Sequence, residues 1–166
     1  MPDVLDRQEL RDAAFRAHVA GLRRRVRALL KAPAYRIADR LPLGVPTMGI
    51  YLFSQRGTPL YVGRSDNIRQ RMGLHTRPSA GHNQATFAFR IARKELHMPV
   101  PTYRKEDSRA HLTTQKPFQE AFEKAKVQIR KMEVRFLEEP DPVLQALLEI
   151  YISLALETPY NEFKTT

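Results

Sequence analysis

The sequence predicts an α+β fold: a small three-stranded antiparallel sheet flanked by helices, with an N-terminal helical extension. Three observations predict it. The apolar period is helical through residue 31, switches to two between Met48 and Gly63, and returns to two near Phe136. Helical spacing resumes between and after these strand-like stretches, and Asp141-Pro142 reads as an N-cap followed by a first-turn proline. The 166 residues are 42% apolar, enough to build one core in a domain of ordinary size.

Residues 5–31 read as one long helix, with Leu5, Leu10, Phe15, Val19, Leu22, Val26 and Leu29 or Leu30 along one face. Arg23, Arg24, Arg25 and Arg27 cover the other face, either as a solvated side or as a contact for DNA. Pro33, Pro42 and Pro46 punctuate a linker, so residues 1–45 form the extension and 46–166 the remaining domain. Ile50 and Leu52 alternate with Tyr51 and Phe53, and Leu60 and Val62 alternate with Tyr61 and Gly63. Arg56-Gly57-Thr58-Pro59 turns the chain between them, which predicts a β-hairpin. Ser65-Asp66-Asn67 starts a helix that carries Ile68, Arg71 and His75. Residues 76–126 form a basic helical insertion: a helix over 83–96, a proline-bearing loop over 97–114 and a helix over 116–126. Val127 to Glu138 alternates as the third strand through Ile129, Met132, Val134 and Phe136. The last helix runs from Asp141 to about Leu156.

The 28 Lys and Arg exceed 18 Asp and Glu, a net charge of +10. Such a chain favours polyanions, because neutralising phosphates releases their counterions. Residues 132–166 run against this trend, with 2 basic and 7 acidic side chains. Without cysteine there is no disulfide, thiolate metal site or cysteine nucleophile. Asp3, Asp6, Glu9 and Asp12 interrupt the start of the chain, so no signal peptide is expected there. Ala146 to Leu156 is too short to span a membrane, so the expected setting is cytoplasmic.

Strand alternation places Ile50, Leu52, Leu60 and Val62 on one face and the Tyr51 and Tyr61 phenols on the other. An odd-length loop centred on Arg56 would set those phenols nearly opposite each other. Arg71 and His75, four apart, project from one side of the next helix, back towards the strand end. A guanidinium can grip phosphate with two N–H groups, and an imidazole can move a proton near neutral pH. Glu149 stands in a helix apolar nearly all round. A carboxylate there costs several kcal/mol unless it is paired with an arginine or bound to a cation. Magnesium suits the second role, since it takes one protein carboxylate, waters and substrate phosphate.

In this order, the motifs resemble the GIY-YIG nuclease superfamily, in the manner of a stand-alone bacterial or phage-type member. Gly49-Ile50-Tyr51 matches the first signature and Tyr61-Val62-Gly63 the second, with Val in place of Ile. The resemblance covers about residues 47–163. It implies a metal-dependent endonuclease cutting phosphodiester bonds in double-stranded or branched DNA. Tyr51 or Tyr61 would act at the water, Arg71 at the transition state, and His75 as a proton carrier. Glu149 would hold Mg2+ or Mn2+, and Asn161, in Thr158-Pro159-Tyr160-Asn161, would brace the site. Arg64 matches a basic position of the family. Arg69, Arg90, Arg93 and Lys94, with His82 and Asn83, are candidates for phosphate or groove contacts. The long separation of His75 from Glu149 departs from minimal members. A non-cleaving nucleic-acid-binding module on the same fold is the alternative. It predicts loss of a catalytic residue, and here both tyrosines, Arg71, His75 and Glu149 are present.

Overall fold

The structure, a computed structural model, describes residues 4–102 and 104–163; the side chains of residues 4–11 and of Asp107 lie outside the described set. In chain order the elements are α1 (Val4–Ala20), α2 (Leu22–Lys31), β1 (Gly49–Gln55), β2 (Thr58–Ser65) and α3 (Ile68–Thr76). Then follow α4 (Thr86–Glu95), α5 (Arg109–Leu112), α6 (Lys116–Lys131), β3 (Glu133–Glu138) and α7 (Pro142–Ala155). The three strands form an antiparallel sheet in the order β2-β1-β3. Among the described residues no helix is long and apolar enough to cross a membrane.

The sheet divides two cores. Ile50, Leu52 and Val62 face one way and pack against Leu22, Val26 and Leu29 of α2 and Leu148 and Ile152 of α7. Tyr51, Phe53 and Tyr61 face the other way, against α3, α4 and α6. The expected insertion is thus a structural layer: Phe87, Phe89, Phe118 and Phe122 are buried over the phenol face.

The N-terminal helix differs from its expected form. It breaks at Gly21 (φ −92°, ψ −6°), and α2 begins at Leu22. The buried stripe holds for Leu22, Val26 and Leu29, but Phe15 is 56% exposed and Leu5 and Leu10 lie outside the described side chains. Arg25 donates from Nε to the Glu139 carboxylate at 2.8 Å, and Tyr35 pairs with Val134 through backbone hydrogen bonds of 2.9 and 2.7 Å. Leu22, Val26 and Leu29 thus join one of the two cores, and Tyr35 packs against the other.

The third strand is shorter than Val127–Glu138. Phe118, Ala121, Phe122, Ala125 and Ile129 continue one helical stripe, so α6 extends to Lys131 and leaves Val127 53% exposed. Ile129 belongs to a 3.6-residue period that mimics alternation over three positions. Asp141 caps α7 as expected, accepting from the Val143 and Leu144 amides. That helix is not buried all round, since Val143, Ile150 and Leu154 are exposed.

The hairpin turn also differs. Gln55 pairs with Thr58, so the loop is two residues, Arg56 (φ 52°) and Gly57 (φ 79°). Two successive positive φ values match the type I′ turn, whose twist suits paired strands. Continued without interruption, that register would place Tyr61 beside Leu52, on the wrong face. A bulge between Phe53 and Ser54 skips Leu60 and resets the pairing to Phe53 with Tyr61 and Tyr51 with Gly63. Leu60, expected beside Ile50 and Leu52, instead packs with the phenol-side core. The two tyrosines share a face as expected, but they are diagonal neighbours, with ring centroids 6.4 Å apart.

Candidate functional site

Gly63 permits the centre of the site. The Tyr51 ring lies across it so closely that a Cβ there would sit 2.3 Å from the phenolic oxygen. Tyr51 is 1% exposed, and its hydroxyl meets two groups from α3. Arg71 donates from Nε at 3.1 Å, and His75 Nε2 lies at 3.0 Å. The helical i, i+4 spacing of Arg71 and His75 brings both to one oxygen. Asn67 caps this helix by accepting from the Gln70 amide, as the sequence predicts.

His75 is fully buried, wrapped edge-on by Tyr51, Phe53, Tyr61 and Phe87. Burial first, then the Arg71 charge, hold its pKa well below the ordinary 6.5, so the imidazole is neutral. Its Nδ1 is buried without a hydrogen-bond partner among the described residues. Burial above all, with Tyr61 adding to it, pushes the Tyr51 phenol far above its ordinary 10, while Arg71 opposes the rise. Tyr61 is likewise raised by burial and lowered by Arg90 and Arg71. Phe87 stacks on Tyr61 at 4.5 Å and 11°.

Glu149 enters from α7, on the opposite side of the sheet, and reaches the outer edge of β2. Its Oε2 accepts from Arg64 Nε at 3.1 Å, so the ion pair weighed from sequence forms. The side chain is 25% exposed. Burial raises its pKa above 4.5, against Arg64, Arg90 and Arg71, and its charge in turn raises both phenols. Its carboxylate therefore shares the electrostatic field of the tyrosines although its helix does not share their face. Among the described residues no cluster of three His, Cys, Asp or Glu side chains forms. Glu149 would be the residue to hold a hard cation, the rest of whose shell would be water and phosphate.

Asn161 sits where a brace is expected. Its Oδ1 accepts from the Val62 amide at 2.9 Å and its Nδ2 donates to the Val62 carbonyl at 2.8 Å. Both bonds satisfy the free edge of β2, next to Tyr61.

Four residues expected at phosphate hydrogen-bond within the chain. Arg69 donates to the Leu41 and Pro42 carbonyls and fastens the linker. Arg90 donates to the Tyr160 and Glu162 carbonyls, Arg93 to Glu162 and the Met98 carbonyl, and Lys94 to the Pro159 carbonyl. They strap the C-terminal segment onto the edge of β2, and Arg93 is buried. Arg90 still lies 5.8 Å over the Tyr61 ring, so it touches the site from the rear. Sequence reading missed Gly63 as the seat of Tyr51, Phe87 as the Tyr61 platform, and Gln84, whose carbonyl accepts from Arg71. The first was legible as a glycine two residues after a strand tyrosine; the others come from the insertion, which has no motif.

No family model matches the chain, and comparisons with curated proteins and with solved structures returned no match.

Proposed function

We propose that this protein is a metal-dependent endonuclease that hydrolyses phosphodiester bonds in DNA. The observation that carries the reading is the Tyr51 hydroxyl held between Arg71 Nε and the neutral His75 Nε2. A buried phenol is a poor base unless its proton has somewhere to go. His75 Nε2 is the acceptor within reach as Tyr51 takes a proton from the attacking water, a transfer that burial and the Arg71 charge oppose and that the negative phosphate would have to offset. Arg71 offsets the negative charge on the phenolic oxygen and, through its remaining N–H groups, the charge growing on the phosphate. Tyr61 positions the water or a phosphate oxygen, and Asn161 keeps the strand beneath it in place. A divalent cation at Glu149 would supply Lewis acidity to the phosphate and its leaving oxygen.

The net charge of +10 supports a polyanionic substrate. Nicking of a supercoiled plasmid with magnesium, and none in EDTA, is the expected result. Glu149→Ala should abolish nicking and leave DNA retention largely intact. Absence of nicking by the wild-type protein with either magnesium or manganese would overturn the assignment. The Arg64–Glu149 ion pair favours one second reading, a non-cleaving DNA-binding module in which that pair is permanent. Salt-sensitive DNA retention without nicking would select it.

A further inference from the structure

The C-terminal segment brackets Tyr61. The Tyr160 amide donates to the Leu60 carbonyl at 3.2 Å, and the Asn161 side chain holds the Val62 amide and carbonyl, so β2 is fixed on both sides of the tyrosine. The ring itself is met from α4. Phe87, Arg90 and Lys94 follow one another at three and four residues and share one helical face. Phe87 stacks on Tyr61 and meets Tyr160 edge-on at 5.5 Å. The Arg90 guanidinium carbon lies 5.8 Å from the Tyr61 ring centroid, and Lys94 Nζ lies 4.8 Å from that of Tyr160.

Arg90 joins the bracket to the ring. Nη1 donates to the Tyr160 carbonyl at 3.0 Å, Nη2 donates to the Glu162 carbonyl at 3.4 Å, and Nε lies 3.7 Å from the Glu162 carboxylate. All three guanidinium nitrogens are thus directed at residues 160–162, and the side chain is 19% exposed. A planar fork can span two carbonyls and a carboxylate in this way; an ammonium, a point charge, cannot. The same charge stays beside the phenol. Of the groups that oppose the burial-driven rise of the Tyr61 pKa, Arg90 acts most strongly, ahead of Arg71.

We infer that Arg90 is a positioning residue for Tyr61, tying the C-terminal segment to the tyrosine and fixing where its ring lies, without touching substrate itself. This role rests on the nuclease reading for the step that Tyr61 serves. It gives the insertion, through α4, a part in ordering the site.

The test is a double-mutant cycle on single-turnover nicking at saturating plasmid. Arg90→Met should slow nicking about tenfold by displacing Tyr61, and Arg90→Lys should recover part of the loss. Because Arg90 acts through Tyr61, adding Arg90→Met to Tyr61→Phe should slow nicking no further. Binding of a fluorescent duplex in EDTA should keep its salt slope, since no phosphate contact is removed. Equal further slowing in the Tyr61→Phe background, or a slope lowered by ~0.9, the mark of one lost phosphate contact, would overturn the inference. A second arm needs no activity: NMR of the full chain carrying isotope-labelled tyrosine, without metal or DNA. The Tyr61 ring signal, assigned with Tyr61→Phe, should move in Arg90→Met and stay in place in Lys94→Met. Glu162→Gln, a milder change that loosens the anchor and keeps the guanidinium, should move the same signal. A Tyr61 signal unmoved by both Arg90→Met and Glu162→Gln would also overturn the inference. A moved signal without nicking by the wild-type protein supports the Arg90–Tyr61 link and removes the nuclease; nicking with additive variants does the reverse.

Discussion

Substitution of Gly63 by alanine tests the geometry of the site at its tightest point. The new Cβ would lie 2.3, 2.4 and 2.8 Å from Oη, Cζ and Cε2 of Tyr51. Comfortable carbon contacts begin near ~3.5 Å, so the ring must retreat by ~1 Å. It has little room, because Phe53 and His75 pack against it edge-on with centroids 5.8 and 5.4 Å away. Retreat also stretches the contacts of 3.1 Å to Arg71 and 3.0 Å to His75 beyond hydrogen-bond range. Overpacking costs about 1–3 kcal/mol and each lost hydrogen bond about 1 kcal/mol. Together these give a destabilisation of roughly 3–5 kcal/mol, on the order of 10 °C in Tm for a chain of this size. A ~1 Å displacement of a catalytic group should lower the nicking rate about a hundredfold. Urea denaturation, a thermal scan and plasmid nicking measure the three quantities. Tyr51→Phe removes the nearest atom, so the double variant Tyr51→Phe/Gly63→Ala should lose less stability than the sum of the singles. An unchanged Tm and rate in Gly63→Ala would show that Tyr51 does not lie across this glycine.

Three further outcomes follow from the same contacts. Arg71→Ala should lower the single-turnover cleavage rate at least about a hundredfold, and a rate near wild type would assign the transition-state charge to another arginine. Asn161→Ala leaves the Val62 amide and carbonyl without their partner at the edge of β2, which should cost about 2 kcal/mol in urea denaturation; a change under about 0.5 kcal/mol would mean that water replaces the side chain fully. His75 has a folded pKa well below its unfolded value, so the unfolded chain takes the proton first as pH falls. Its stabilisation is therefore complete above the unfolded pKa of ~6.5 and declines below it, with a slope approaching ~1.4 kcal/mol per pH unit. Urea midpoints at pH 7.5 and 5.5 should show this decline in the wild-type protein and lose most of it in His75→Gln; equal declines in both would place the titrating group elsewhere.

The local chemistry of this chain is written in its residue order. Asn67 and Asp141 are short polar side chains ahead of helical runs, and each caps as its type requires. Arg71 and His75 converge because four residues of helix make one turn, a spacing that needs no tertiary information. The alternation at Gly49–Phe53 likewise separates Ile50 and Leu52 from the phenol face. What lies beyond one element was not legible in this way. The exchange of strand for helix at Ile129 depended on whether Phe118 and Phe122 found a partner on α4, since three apolar positions fit both periods. Arg90, Arg93 and Lys94 look like a solvated basic face until the C-terminal segment folds onto them.

The sequence by itself determined the order of Tyr51, Tyr61, Arg71, His75 and Glu149 and the hairpin and helices that carry them, because caps, turns and periodicity act over a few residues. The tertiary structure decided which face Tyr61 occupies. A two-residue turn alone would have turned it away from Tyr51, and the bulge at Leu60 turns it back. It also decided that Glu149, on a helix packed on the other side of the sheet, pairs with Arg64 of β2. Both outcomes depend on register and packing between segments far apart in the chain, and those are set by which surfaces the whole fold can bury.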